Sequence, residues 1–347
     1  MSAVTFPTQF SSVLDIASLP WFDVVGGTRI VADPAVGPII DMHTHVAMAY
    51  LLKHRVDVMA ETPMTSYYLP VSSPVDLAIY SNKNFDDHSL WAMKLDMSLL
   101  SVTPWGMRRT HTAANLQRDM RALGIVNAVL LPFDVPIGPS NASVVLDVCD
   151  RFDEFIPFGS VHPIDRKFEA KFAQQIQRGA RGMKFHPNGQ FIAPDHPKVV
   201  HMCRRCGDAQ LPVLFHCGPV GIEPKSAEQR SQVARYERAI AENPDTTFVL
   251  GHCGALQSSE AIQFSERYDN LYYEVSCLGL EAMAEVFDTV DHSRILYGSD
   301  WPFYHQSLTL ARVLMLTEGS PASRRAILHD NAARLLEGQS PIGDQGS

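Results

Sequence analysis

Residues 38–46 read PIIDMHTHV. Branched apolar residues open the run, and His43 and His45 stand two apart near its end. On a β-strand alternate residues share a face, so both imidazoles would project to one side, with Asp41 beside them. Seven further runs have the same build, short and apolar with polar or Gly/Pro punctuation. They are IVNAVLLPF (125–133), FIPFGSVHP (155–163), ARGMKFHP (180–187), PVLFHCG (212–218), TFVLGHCG (247–254), LYYEVSC (271–277) and ILYGSDWP (295–302). Several are nearly continuously apolar, as parallel strands buried on both faces are. Helical patterns alternate with them: TAANLQRDMRALG, FEAKFAQQIQRGA, SQVARYERAIAEN and, closing the chain, SRRAILHDNAARLLEG. Eight strand–helix units in a row predict an α/β fold, a closed (β/α)₈ (TIM) barrel.

The rhythm breaks once. Residues 47–110, rich in Met, Tyr, Pro and Trp, separate the first strand from the next helix. A stretch of that length carries structure of its own, and it follows a strand end on the catalytic face, so a helical cap is expected there. The expected organisation is an N-terminal extension over 1–37, a barrel over 38–337 with the 47–110 insertion, and a disordered tail over 338–347.

The 347 residues are 46% hydrophobic and 19% charged, enough for a large core and too ordered a composition for general disorder. A formal net charge of -9 with no basic block argues against a nucleic-acid partner. No apolar run approaches the roughly 18 residues that cross a membrane. The opening MSAVTFPTQF has neither the basic flank nor the apolar core of a signal peptide. Cytoplasm is therefore the expected compartment and a small molecule the expected partner; a homodimer is the commonest soluble assembly. Of six cysteines, Cys203 and Cys206 form a CxxC that no second pair completes as a zinc site. Cys149, Cys217, Cys253 and Cys277 read as small buried hydrophobes.

The chemistry lies at the strand ends. His43 and His45 could ligate one divalent cation at about 2.0–2.1 Å, but an HxH also occurs by chance on surface strands. His216 closes the fifth run, His252 the sixth, and Asp300 the eighth. A single histidine after an apolar run is ordinarily structural; three imidazole-bearing strand ends and an aspartate on one barrel face form a metal-binding set. Cys-Gly follows both His216 and His252, small residues that let the chain turn away from the site. Lys184, at the end of the fourth run, has two readings. It is a cation for solvent or a substrate carboxylate, or an amine of depressed pKa that captures carbon dioxide as a carbamate. A carbamate would bridge two cations about 3.5–4 Å apart. His186, two residues on, is either a support for the site or a substrate contact.

Other residues weigh less. His162 reads equally as a structural residue or as one facing the mouth, and Glu274 and Ser276 share a face where they could line the pocket or buttress a ligand. Arg108 and Arg109 read as solvated, with neutralisation of an anionic substrate as the sharper alternative. Tyr67, Tyr68, Trp91 and Trp105 read as packing within the cap rather than an aromatic pocket.

HTH on the first strand, Lys184 on the fourth, His216 and His252 on the fifth and sixth, and Asp300 on the eighth resemble the amidohydrolase superfamily. GMKFHP, YGSDWPF and NAARLL resemble its amidohydrolase-related (amidohydrolase 2) branch, over about residues 38–337. KFHP also resembles the segment around the carboxylated lysine of dihydroorotases. The resemblance implies one metal on His43, His45 and Asp300, a second on His216 and His252, and a bridge by carboxylated Lys184. It further implies activated water attacking an amide, ester or lactone, with Asp300 as proton acceptor and zinc as the metal, manganese being the alternative. Other relatives are decarboxylases with one metal on His43, His45, His216 and Asp300, and His252 as acid/base. A binding-only barrel would have lost a ligand position, and none is lost.

Overall fold

The computed structural model describes residues 6–46, 48, 56–98, 103, 105–135 and 138–338. Its centre is built from eight parallel strands, β1 (Ile39–Thr44), β2 (Ile125–Leu130), β3 (Phe155–Pro157), β4 (Met183–Phe185), β5 (Val213–His216), β6 (Phe248–Gly251), β7 (Leu271–Glu274) and β8 (Ile295–Leu296). β1, β2 and β3 pair in order, as do β4 to β8. Parallel bridges from Gly159 to Met183 and from Thr44 to Trp301 join the two arcs. At the second seam Met42 N–H donates to the Tyr297 carbonyl at 3.0 Å, and His45 N–H to the Trp301 carbonyl at 2.8 Å. The closed barrel leaves no edge strand. Each of the eight runs holds one strand. The strands are shorter than the runs.

The lower interior is filled by Ile40, Met42, Val129, Leu131, Phe158, Leu214, Val249, Tyr272 and Leu296, closed off by Ala332, Leu335 and Leu336 of the helix Asn331–Leu336. The barrel is therefore solid below its polar mouth. A second, larger apolar layer packs between the strands and the outer helices. The helix Ala113–Ala122 starts where Thr112 accepts the Asn115 N–H, and Pro197–Asp208 buries Cys203 and Cys206 on its inner face.

Two helical patterns break where tertiary bonds compete with the helix ladder. SQVARYERAIAEN becomes a 3-10 turn, Val233–Arg235, then a short helix, Glu237–Ala241. Val233 N–H is taken by the Gln257 side chain, and the buried Tyr236 hydroxyl by the His216 carbonyl. The closing helix widens into a π-turn at Ala326–Asp330, where Tyr297 N–H draws on the Ile327 carbonyl.

Between β1 and the helix Ala113–Ala122, the described residues hold one α-helix, Asp87–Ser98, and two 3-10 turns, Ser81–Asn84 and Met107–Thr110. Val75–Asp76 pairs antiparallel with Gln9–Phe10, joining this stretch to the N-terminal segment. Buried Arg312 anchors it from below, donating to the carbonyls of Leu77 (2.9 Å) and Ile79 (3.2 Å) and to Ser81 Oγ (3.0 Å). Part of the expected cap, and the expected tail beyond 338, lie outside the described residues.

Candidate metal centre

The polar mouth begins with an irregularity in β1. Asp41 pairs with Ala128 but Thr44 with Leu130, so β1 has one residue more than β2 across this interval. The bulge switches the alternation of faces. Met42 packs in the lower core while His43 and His45 line a cavity above it. Asp41 does not join them, contrary to the period-two expectation. It is buried between β1 and the β8 segment, accepting from the N–H of His43 (3.1 Å), the N–H of Ser299 (2.9 Å) and the Gln306 amide (2.7 Å). Burial pushes its carboxyl up to about 6.

Hydrogen bonds decide which ring nitrogens are bare. His45 Nδ1 lies 2.7 Å from the Leu131 carbonyl, which can only accept, so the proton is on Nδ1 and Nε2 carries a lone pair. His43 Nδ1 lies 2.6 Å from Glu274 Oε2, fixing the same tautomer. His252 Nδ1 meets Ser276 Oγ at 2.7 Å, and that hydroxyl donates to Glu274 Oε2 at 2.9 Å. One buried carboxylate thus orients two imidazoles, one directly and one through a hydroxyl, as the outer partners of metal-ligating histidines do. Burial holds His43 well below the usual histidine range and lowers His252 to about 4, so both rings are neutral bases at pH 7.

The potential ligand atoms converge. The ligand atoms of His43, His45 and Asp300 lie within 4.8 Å of one another, as do those of His252, Cys277 and Asp300, and of His43, His252 and Glu274. Asp300 Oδ1 is 3.4 Å from His45 Nε2 and 3.8 Å from His43 Nε2. Lys184 is buried, with Nζ 3.3 Å from His43 Nε2, and burial brings its ammonium down to about 7. His216 joins none of the three groups. Its Nε2 is buried with no hydrogen-bond partner among the described residues. Bare imidazole nitrogens, an orphaned one among them, around a carboxylate fit a divalent cation that accepts nitrogen and oxygen ligands.

The backbone bends sharply to make this arrangement. His252, Cys253, Cys277 and Asp300 all have positive φ, at 57°, 44°, 67° and 61°. Such left-handed non-glycine residues persist only where surrounding contacts hold them. Gly218 also has positive φ, and a Cβ there would run into the Gly254 carbonyl, so the turns after His216 and His252 interlock. Gly298 leaves the gap through which Glu274 reaches His43.

The cavity above these groups measures about 440 Å³. Apolar side chains dominate its walls, including Met97, Phe133, Phe191, Val220 and Ile222. His186 lines it; His162 does not, its Nε2 donating to the Gln190 carbonyl at 2.7 Å. Neither Arg108 nor Arg109 reaches it. Tyr67 and Tyr68 are buried, with hydroxyls on Asp119 and Asp96, while Trp91 and Trp105 are 62% and 77% exposed, against the expectation of core packing. Cys149 is only half-buried, unlike Cys217 and Cys253. Sequence reasoning missed Cys277, whose Sγ donates to Asp300 Oδ2 at 3.5 Å, and Asn82, which bonds Tyr304 and the Val220 carbonyl. A lone Cys and a lone Asn carry no local signal.

The amidohydrolase family model matches residues 40–338, and the chain belongs to that family, whose members are generally metal-dependent enzymes acting on small molecules. Among solved structures it is similar to an uncharacterised TIM-barrel protein from Bordetella bronchiseptica (19% identity, TM-score 0.62, covering 87% of this chain and 99% of the other). An amidohydrolase from Burkholderia multivorans with bound HEPES shows 13% identity and a TM-score of 0.57 over 87% and 99% of the two chains. A 2,6-dihydroxybenzoate decarboxylase from Rhizobium shows 14% identity and a TM-score of 0.55 over 86% and 99%. At these identities the likeness establishes the fold, a TIM barrel. No curated protein matches the chain. Among the described residues no helix is long and apolar enough to cross a membrane.

Proposed function

We propose that the chain is a metal-dependent hydrolase that cleaves an ester, lactone or amide of a small, largely apolar substrate. The observation that carries this reading is Lys184, buried with Nζ against an imidazole nitrogen of the cluster rather than a carboxylate. A buried ammonium without a contacting anion is costly, whereas a neutral amine can take up carbon dioxide and return as an anionic ligand. In this reading His43, His45 and Asp300 would hold one cation, His216 and His252 a second, and carboxylated Lys184 would be their shared ligand. Zinc suits the nitrogen-rich donor set, with manganese as the alternative.

The bound cation would supply Lewis acidity and lower the pKa of water toward about 7. The Asp300 carboxylate takes the proton as water oxygen bonds to the acyl carbon, and delivers it to the departing oxygen or nitrogen. Glu274 and Ser276 keep His43 and His252 in the tautomers that leave Nε2 bare. The apolar walls admit the acyl or aryl part of the substrate and exclude bulk water.

A second reading draws on the grouping of His43, His45 and Asp300, which His216 would join as a fourth ligand. There those four residues would hold a single cation, and His252, as acid/base, would relay a proton from solvent through its bare Nε2 to the carbon that loses carbon dioxide from an unsaturated or aromatic carboxylate. Elemental analysis of protein purified without chelator, with intact mass under carbamate-preserving conditions, separates the two. Two metals and an added carbon dioxide support the hydrolase. One metal and unmodified Lys184 reject it in favour of the decarboxylase. Lys184→Ala should lose metal and activity; a variant that keeps both would remove the bridge.

A further inference from the structure

The five imidazoles around the cavity are not equivalent. His186 Nδ1 accepts the Gly189 backbone N–H at 3.3 Å, and a backbone amide can only donate. The His186 proton is therefore on Nε2, the reverse of His43, His45 and His252. The ring is held in place from several sides. It stacks on His216, with centroids 4.0 Å apart and planes 13° from parallel, and meets the Phe133 ring at 4.9 Å. The turn that follows is tied to it, His186 N–H donating to Gln190 Oε1 at 3.0 Å and Gln190 N–H to the His186 carbonyl at 2.8 Å. Among the described residues no acceptor meets the His186 Nε2–H, although the residue lines the cavity.

We propose that His186 is the hydrogen-bond donor for the substrate: its Nε2–H holds the carbonyl or carboxylate oxygen of the molecule bound in the cavity. An N–H cannot ligate a cation, and a lone-pair oxygen is its complement. The donor stands just past the end of β4, while the cation-facing nitrogens stand at the ends of β1, β5 and β6, so a substrate oxygen would be gripped between the two sets. As an acyl carbon became tetrahedral, the growing charge on that oxygen would strengthen the bond. The inference rests on this cavity being the active site, and it holds for hydrolysis or decarboxylation.

The test uses the zinc-loaded full chain, His186→Gln and His186→Leu, with benzoate as an oxygen-bearing probe and 4-nitrophenyl acetate as an ester. Glutamine places an amide N–H near the position of Nε2; leucine has none. Zinc content should be unchanged in both variants. Calorimetry should show benzoate binding within about 3-fold of wild type for His186→Gln and about 10- to 100-fold weaker for His186→Leu. Equal weakening in both, unchanged binding in His186→Leu, or loss of zinc from His186→Leu would each overturn the role. If only the hydrolase reading fails, no form cleaves the ester while the benzoate pattern stands.

Discussion

His43 Nδ1 lies 2.6 Å from Glu274 Oε2, and both side chains are buried at the mouth of the barrel. The same oxygen accepts from the His252 N–H at 3.1 Å and from Ser276 Oγ at 2.9 Å, while Oε1 accepts from the Ser276 N–H. The carboxylate is thus an acceptor at every lone pair in use. Glu274→Gln puts two donor hydrogens where one of these oxygens stood, so it cannot satisfy the whole set. Zinc affinity should fall about 10- to 100-fold, as when the outer partner of a ligating histidine is lost. Competition against a chromophoric chelator measures this, and an unchanged affinity would remove Glu274 as the group that orients His43.

Among the described residues Asp300 is the one carboxylate close to the bare nitrogens of both His43 and His45, at 3.8 and 3.4 Å. Asp300→Asn keeps the shape and removes the proton acceptor. The hydrolytic rate constant on 4-nitrophenyl acetate should fall by about 100-fold or more, with thermal unfolding little changed. Full turnover would exclude Asp300 as the base.

Gly298 sits where β8 opens toward the mouth. A Cβ there would collide with the Glu274 carboxylate and lie 2.8 Å from the His43 Cβ. Neither neighbour can give way without breaking the bond between them. Gly298→Ala should cost about 1–3 kcal/mol in urea unfolding and lower zinc occupancy as well. A variant with wild-type stability and full zinc would show that the gap is not needed.

The pH dependence of stability has a source outside the site. Burial holds His111 down at about 3, its Nε2 donating to the Ser66 carbonyl at 2.8 Å. Between about pH 3 and 6.5 the unfolded chain binds a proton that the folded chain refuses. This contribution is complete above the unfolded pKa of about 6.5 and is lost as pH falls through the window. His111→Gln has no such proton to take up, so its loss of stability between pH 7 and pH 5 should be smaller than wild type's by about 2 kcal/mol. Buried His305, lowered to about 4, acts in the same direction and remains in the variant. Equal losses in the two proteins, read from urea midpoints, would show that His111 titrates normally.

The eight strands were legible in the chain because burial on both faces writes itself as short apolar runs, and a strand end writes itself as a polar residue after such a run. For the same reason His43, His45, Lys184, His216, His252 and Asp300 stood out by position. Other features were decided only in three dimensions. The extra residue in β1 turned Asp41 away from the mouth, because a bulge depends on pairing with β2 and not on the pattern of β1 itself. Ring tautomers came from partners such as Leu131, Glu274 and Gly189, supplied by other strands or by a turn. Cys277 reached the cavity on a turn and Asn82 on a 3-10 turn, whose courses no local periodicity encodes. Periodicity is a property of neighbours along the chain, and it determined the barrel and the residues at its mouth. Which atoms are bare, which are paired and which face the cavity follows from contacts between segments far apart in sequence, and folding alone decided those.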